Sequence, residues 1–221
     1  MSTTAPNTTA LNGTGPNISV RRLAERARYD RDDVDAILDA AYVAHVGVVV
    51  DGAPVVMPYA CARVGDELVL HGSTKAGILS ALASGAPVCA TVTHVDGLVL
   101  ARSAFHSSMN YRSAVVHGTA RVVGDPAEKV RLLDALADRL LPGRRAGIRG
   151  MAQGELDATQ VVALALDRVS AKVRTGPPTE PNEDRDASVW GGVIPLALEP
   201  GTPQPDDVTA AGVAPPNLTS P

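Results

Sequence analysis

Two-residue turns constrain this chain more than any other feature. Asp51-Gly52, Gly65-Asp66 and Asp96-Gly97 each fall between apolar, β-branched runs. Such dipeptides reach the positive φ angles that a tight hairpin requires, and their twist matches that of the strands they join. The runs they separate cover residues 45–50, 54–64, 67–71, 87–95 and 98–102, followed by 113–123. Strands this short, joined mostly by hairpins, predict an antiparallel sheet that closes into a barrel or folds into a sandwich. A last strand is predicted over 161–166, with 169–173 continuing it, giving about six or seven strands in all.

Three helices are expected among them. Asp30 is placed to cap one that buries Val34, Ile37, Leu38 and Ala41. A second begins near Ile78. A third starts at Pro126, whose missing N–H costs nothing in a first turn, and carries Val130, Leu133, Leu136 and Leu140 on one face. Aromatic residues are only 3% of the 221 against 45% hydrophobic, so Val, Leu, Ala and Ile must build the core.

Residues 1–19 and 199–221 are polar, rich in Pro and Gly, and without periodicity, so they read as disordered tails around a domain at 20–198. The net charge of −4 argues against a general nucleic-acid binder. No stretch has the length of a membrane span and no leader pattern is seen, which predicts a soluble cytoplasmic protein. Cys61 and Cys89 sit in apolar runs, without metal spacing, and read as buried reduced thiols.

Five segments could carry chemistry. In the first, residues 71–77, a strand leads through His71, Gly72, Ser73, Thr74 and Lys75 into a helix. Ser73 or Thr74 would cap that helix, and Lys75 would bring full charge to its positive end, as an anion site requires. An ordinary cap with a solvated lysine fits these residues equally well, and the glycine spacing is not that of a Walker loop. The second, residues 105–113, gathers hydroxyls, Asn110, Arg112 and His106. Taken alone it reads as a hairpin loop, though its groups suit the edge of a heterocycle or a phosphate. In the third, Met57-Pro58-Tyr59 interrupts a strand. Pro58 removes a ladder donor, so that strand is at an edge or locally irregular; a plain edge strand fits, and so does a place where a flat ligand lies against backbone. Among the five histidines, His71 and His106 lie at strand ends beside small polar residues and are the better candidates for proton transfer. The fifth segment runs from Lys172-Val173-Arg174-Thr175-Gly176 to Trp190. It reads as an ordered C-terminal arm, with Trp190 a lid or an aromatic wall. No Ser/His/Asp order and no paired carboxylates favour hydrolysis.

Taken in order, these segments resemble the pyridoxamine 5′-phosphate oxidase-like flavin-nucleotide-binding proteins, in particular the branch containing the nitroimidazole-resistance proteins. The motifs that carry the resemblance are the strand at 55–64, His71 to Gly77, Asn110 to Ala120, Lys172 to Gly176 and Trp190 to Pro195, so it covers roughly residues 20–197. It implies a mainly β split barrel with flanking helices, and a homodimer holding FMN in a cleft between subunits. It further implies that Val56, Met57, Pro58 and Tyr59 lie along the flavin ring and that Ser73, Thr74 and Lys75 hold the phosphate. Tyr111, Arg112 and Ser113 would reach the flavin from the partner subunit, Trp190 would stand near the ring, and His71 would face it as proton donor or substrate contact. The true oxidases end in an arginine/histidine cluster, where this chain has Pro195-Leu196-Ala197-Leu198. The expectation is therefore a flavin reductase or nitroreductase-like oxidoreductase acting on a small molecule, not a vitamin B6 oxidase. A non-catalytic module that binds haem or a deazaflavin, or stores or senses flavin, is the alternative; a structural dimer with a vestigial pocket is a third reading.

Overall fold

The computed structural model describes residues 18–216. Residues 1–17 of the polar N-terminal stretch and residues 217–221 lie outside it. The described chain forms one antiparallel sheet of ten strands and four α-helices. The strands are β1 (Ala27–Arg28), β2 (Val43–Val50), β3 (Ala53–Val64), β4 (Glu67–Ser73), β5 (Pro87–Leu100), β6 (Ser108–Thr119), β7 (Arg121–Val122), β8 (Thr159–Ala165), β9 (Val169–Arg174) and β10 (Gly192–Pro195). Their order is β1-β9-β6-β5-β2-β3-β4-β8-β7, with β10 beside β5. The sheet curls into a split barrel, as the resemblance implied.

Side-chain alternation decides which face each strand buries. In β2, Ala44, Val46 and Val48 point inward while Val43, His45 and Val49 point out. β4 and β8 lack alternation because both their faces are covered. Leu68, Leu70, Val162 and Leu164 enter the main core with helices α1 (Arg31–Asp39) and α2 (Gly77–Ala83). Val69, Val161 and Ala163 meet α3 (Pro126–Leu140) on the opposite side, in a second core with its Leu132, Leu133 and Leu136. α3 begins as expected: Pro126 opens it and Asp125 accepts a hydrogen bond from the Glu128 N–H at 2.7 Å. The fourth helix, α4 (Gln153–Ala158), leads into β8. Asp30 does occupy the cap position of α1, but its side chain makes no capping bond.

Three expectations are corrected. Asp51 and Gly52 form the expected turn, with φ of 51° and 79°, but Asp96-Gly97 forms none. It lies inside the long strand β5 as a bulge, and pairing with β6 steps from Val95–Tyr111 to Gly97–Asn110. The cause is tertiary. β10 crosses so close that a Cβ on Gly97 would stand 3.0 Å from the Ile194 carbonyl oxygen, and the Asp96 carboxylate accepts two hydrogen bonds from Arg112. The second correction concerns residues 169–173, which do not extend the preceding strand. β8 pairs with β4 and β7, whereas β9 pairs with β6 and β1, so the bend at Asp167-Arg168 carries the chain between the two halves of the barrel. The third is the cap of α2. That position belongs to Ala76, which has no capping side chain. Pairing of Ser73 with Thr159 draws Ser73 into β4, so the strand ends later than the sequence suggests.

Candidate functional site

The site begins where β3 and β4 part. They pair from Val64–Glu67 to Cys61–Leu70 and no further. Beyond that rung β3 continues beside β2, and β4 continues beside β8. Residues 53–60 of β3 therefore have a strand partner on one edge only, and a notch opens between them and the end of β4. Pro58 falls in this one-sided half, where its missing N–H costs no ladder bond.

The notch collects most of the expected residues. Val56, Met57 and Pro58 are exposed along β3, and Ser73, Thr74 and Lys75 are exposed at the opposite lip. Tyr59 is half-buried and turns inward, packing on the main core. Gly72 makes room for it: a Cβ there would lie 3.4 Å from Tyr59 Cε1 and 2.7 Å from Leu79 Cδ1. Burial pushes the Tyr59 hydroxyl pKa up. In the lip, Ser73 Oγ accepts the Lys75 N–H at 3.2 Å, Thr74 N–H bonds Ala158 O, and Ala76 N–H bonds Ser73 O. The turn is thus shaped by its own bonds, while the Lys75 ammonium has no ion-pair partner among the described residues.

His71 lies on the opposite side of β4 from Gly72, in line with Val69, facing the α3 layer. It pairs with Val161. Its Nδ1 is buried without a hydrogen-bond partner, and burial pushes its pKa below the usual 6.5. The ring is therefore held neutral, with one nitrogen open to a further partner. The other histidines are engaged differently. His94 Nε2 lies 3.0 Å from Ile37 O. His106 Nδ1 lies 2.8 Å from Ser103 Oγ and 3.7 Å from an Asp184 oxygen. Serine and aspartate meet the same ring nitrogen, so this cluster is no catalytic triad, in which the two partners occupy opposite nitrogens.

One residue at the notch carries no sequence expectation. Arg139, near the end of α3, lies with its guanidinium 5.1 Å from the centre of the Tyr42 ring. Its Nε and Nη2 are buried without acceptors. A sequence signal does exist: Arg139 follows Leu132 and Leu136 on the apolar face of α3, where a cation is out of place.

The remaining expected residues stand apart within the monomer. Tyr111, Arg112 and Ser113 lie on β6, separated from β3 by β5 and β2, about 14 Å at three strand spacings. Arg112 is also committed to Asp96. Trp190, 60% exposed, stands just before β10 at the far end of β5, with its ring over the backbone of Gly192. The arm that carries it is tied down by hydrogen bonds. Buried Arg174 donates to Asn110 and to the carbonyls of Gly176 and Pro177, and Glu180 accepts from the Arg102 backbone and side chain. A recess of about 900 Å³ lies elsewhere, against Val48, Val55, Val88, Cys89, His117 and Arg168, and shares only Val56 with the expected set. There Cys89 Sγ is 4.0 Å from His117 Nε2. Burial raises the thiol pKa and lowers that of the imidazole, so the pair is neutral and not an activated nucleophile. Among the described residues there is no metal-binding cluster of His, Cys, Asp and Glu, and no helix long and apolar enough to cross a membrane.

Comparison with known proteins agrees with this geometry. The family model for pyridoxamine 5′-phosphate oxidase matches residues 30–173. No curated protein sequence matches the chain. Among solved structures, the FAD and haem binding protein from Mycobacterium smegmatis is 45% identical, with a TM-score of 0.83 over 86% of this chain and 94% of that one. The flavocytochrome Anf3 from Azotobacter vinelandii is 40% identical, also with a TM-score of 0.83, over 89% of this chain and 92% of its own. A structure from Bacteroides thetaiotaomicron, assigned to 5-nitroimidazole antibiotic resistance, shares the fold at 23% identity, with a TM-score of 0.57 over 66% of this chain and 86% of its own.

Proposed function

This chain belongs to the pyridoxamine 5′-phosphate oxidase family, and we propose that it is a flavin-nucleotide-binding redox protein whose cofactor occupies the β3–β4 notch. What carries the reading is the notch itself: a one-sided strand edge facing a lysine with no counter-charge. Val56, Met57, Pro58 and Tyr59 would lie along the ring, and Ser73, Thr74 and Lys75 would hold phosphate. The bound flavin would supply hydride or single-electron transfer, and the protein would supply anchoring and orientation. FAD is preferred to FMN, because the M. smegmatis relative is named for FAD. The same likeness favours a small-molecule oxidoreductase over a structural protein.

A homodimer is part of the proposal. Tyr111, Arg112 and Ser113 lie too far along the sheet to reach their own notch, and a second subunit would bring them to it. The outer face between them exposes Val43, Val49 and Val56, apolar surface of the kind that interfaces cover.

Haem is a second reading, favoured by one observation beyond the relatives' names. His71 has a buried ring nitrogen without a partner and is kept neutral, the form that ligates iron. An absorbance spectrum of the purified protein, with mass spectrometry of the released ligand, tests both. Flavin bands with the mass of FAD are expected. A Soret band that disappears in His71→Ala assigns His71 to iron, and protein that stays colourless with FAD, FMN and haem added defeats both readings.

A further inference from the structure

α3 turns one cation toward the sheet and leaves it unneutralised. Leu132 and Leu136 are buried against β4 and β8, and Arg139 follows on the same face. Elsewhere in the chain a half-buried guanidinium meets a carboxylate: Arg63 meets Asp35 and Asp39, Arg102 meets Glu180, and Arg145 meets Asp134. Arg139 has only the face of Tyr42, with two donor nitrogens buried and unsatisfied. Donors in that state are costly unless something outside the chain accepts from them.

His71 is the second unsatisfied group in the same layer. Val69, two residues before it, and Val161, paired with it, both face α3, so His71 faces α3 too. Continuing the β3–β4 register beyond Cys61–Leu70 sets His71 beside Ala60. Ala60 pairs on its other side with Val43, which follows Tyr42. The Tyr42–Arg139 pair and His71 therefore flank a single residue, Ala60, at the inner end of the notch, from strands two spacings or about 10 Å apart, a gap that the two long side chains can narrow toward one ligand group. The Arg139 charge also acts on Cys61, whose thiol pKa is pushed to about 11 by burial and drawn back by that charge.

We propose that Arg139 and His71 form an inner anion site of the notch, which takes a negatively charged oxygen of the bound ligand. The inference rests on the flavin reading, where two sources of that oxygen exist: a phosphoryl group of the nucleotide, or the ring of the reduced, anionic flavin. Lys75 marks the outer lip, and Arg139 with His71 the inner end.

The test compares wild type with Arg139→Gln and Arg139→Lys, each checked for folding by circular dichroism. Affinities for oxidised FMN and FAD come from fluorescence titration, and the two-electron midpoint from dye-coupled reduction. Inorganic pyrophosphate serves as a flavin-free probe by thermal shift. With a phosphoryl source, Arg139→Gln loses at least tenfold in affinity for oxidised FAD, FMN or both, and Arg139→Lys recovers part. With a ring source, oxidised flavins bind as in wild type while reduced flavin binds about tenfold more weakly, a midpoint lower by about 30 mV. A folded Arg139→Gln protein with unchanged affinities and midpoint overturns the proposal, leaving buried water as the partner of Arg139. Should wild type bind neither flavin, the flavin reading fails and pyrophosphate decides this one. A rise in Tm that Arg139→Gln lacks retains the site, and no rise in wild type ends it. If Arg139→Gln does not fold, Arg139→Lys carries the same comparison.

Discussion

The two halves of β3 have opposite fates. Over 61–64 the strand pairs with β4, Cys61 N–H also bonds Tyr42 O, and Cys61 and Ala62 are 0% and 2% exposed. Over 53–60 it pairs with β2 alone, its other edge is open, and Val56 and Met57 are 62% and 48% exposed. Apolar content does not explain it, since the less buried half has no charged residue while the buried half carries Arg63. The difference is the neighbour. β4 follows β3 as far as Leu70 and then remains with β8, so the first half of β3 is left with unused backbone groups and apolar side chains in the open. On the proposed function, stability rests on the buried half and ligand binding on the exposed one.

The largest test of that division is Leu70→Ala, at the last shared rung. Leu70 is 1% exposed in the main core, and its loss is expected to cost about 2–5 kcal/mol in denaturant unfolding. A cost below about 1 kcal/mol would mean that the rung does not anchor the barrel. Next comes Lys75→Ala at the free lip. It should leave stability within about 0.5 kcal/mol and weaken flavin binding by about 1.5–3 kcal/mol, the scale of a hydrogen bond to a charged group. Titration of the variant with FAD at fixed salt measures it, and unchanged affinity removes Lys75 from the site. Gly72→Ala lies on the boundary. The new Cβ would press Leu79 Cδ1 at 2.7 Å, so this fully buried side chain must shift, and a penalty of about 1 kcal/mol is expected. In a domain of this size that is a Tm lower by about 2–4 °C.

The sequence made the buried half legible and much of the exposed half as well, for a shared reason. Asp51-Gly52, the alternation in β2 and Pro126 opening α3 are local signals that tertiary structure had only to accept. Pro58 was legible too, because a missing donor marks an edge wherever it occurs. Asp96-Gly97 misled because its chemistry matches that of Asp51-Gly52, and only the approach of β10, almost a hundred residues later in the chain, turns one into a bulge. Ser73 misled similarly: as a cap it is locally reasonable, but Thr159 claims it for the ladder. The separation of Arg112 from Lys75 depends on strand order, which no motif encodes. Arg139 left a trace that was there to read, a cation on the apolar stripe of a helix.

His71 gives the smallest and most specific test, because it lies where the two halves meet. Its folded pKa is lowered by burial, whereas the unfolded chain carries an ordinary histidine of pKa about 6.5. Below that value the unfolded state binds a proton that the folded state resists. The contribution of neutral His71 is therefore complete above about pH 6.5 and is lost as pH falls toward the folded pKa. His117 is shifted the same way, by burial and by Arg168, so wild type should weaken between pH 7.5 and 5 through both groups. His71→Gln removes one of them and should lose less stability over that interval, measured by urea unfolding without added flavin. Parallel curves for the two proteins would mean that His71 keeps an ordinary pKa, with its ring open to water. The neutral, unpartnered nitrogen on which the haem reading depends would then be gone, while the anchoring of phosphate at Lys75 would be untouched.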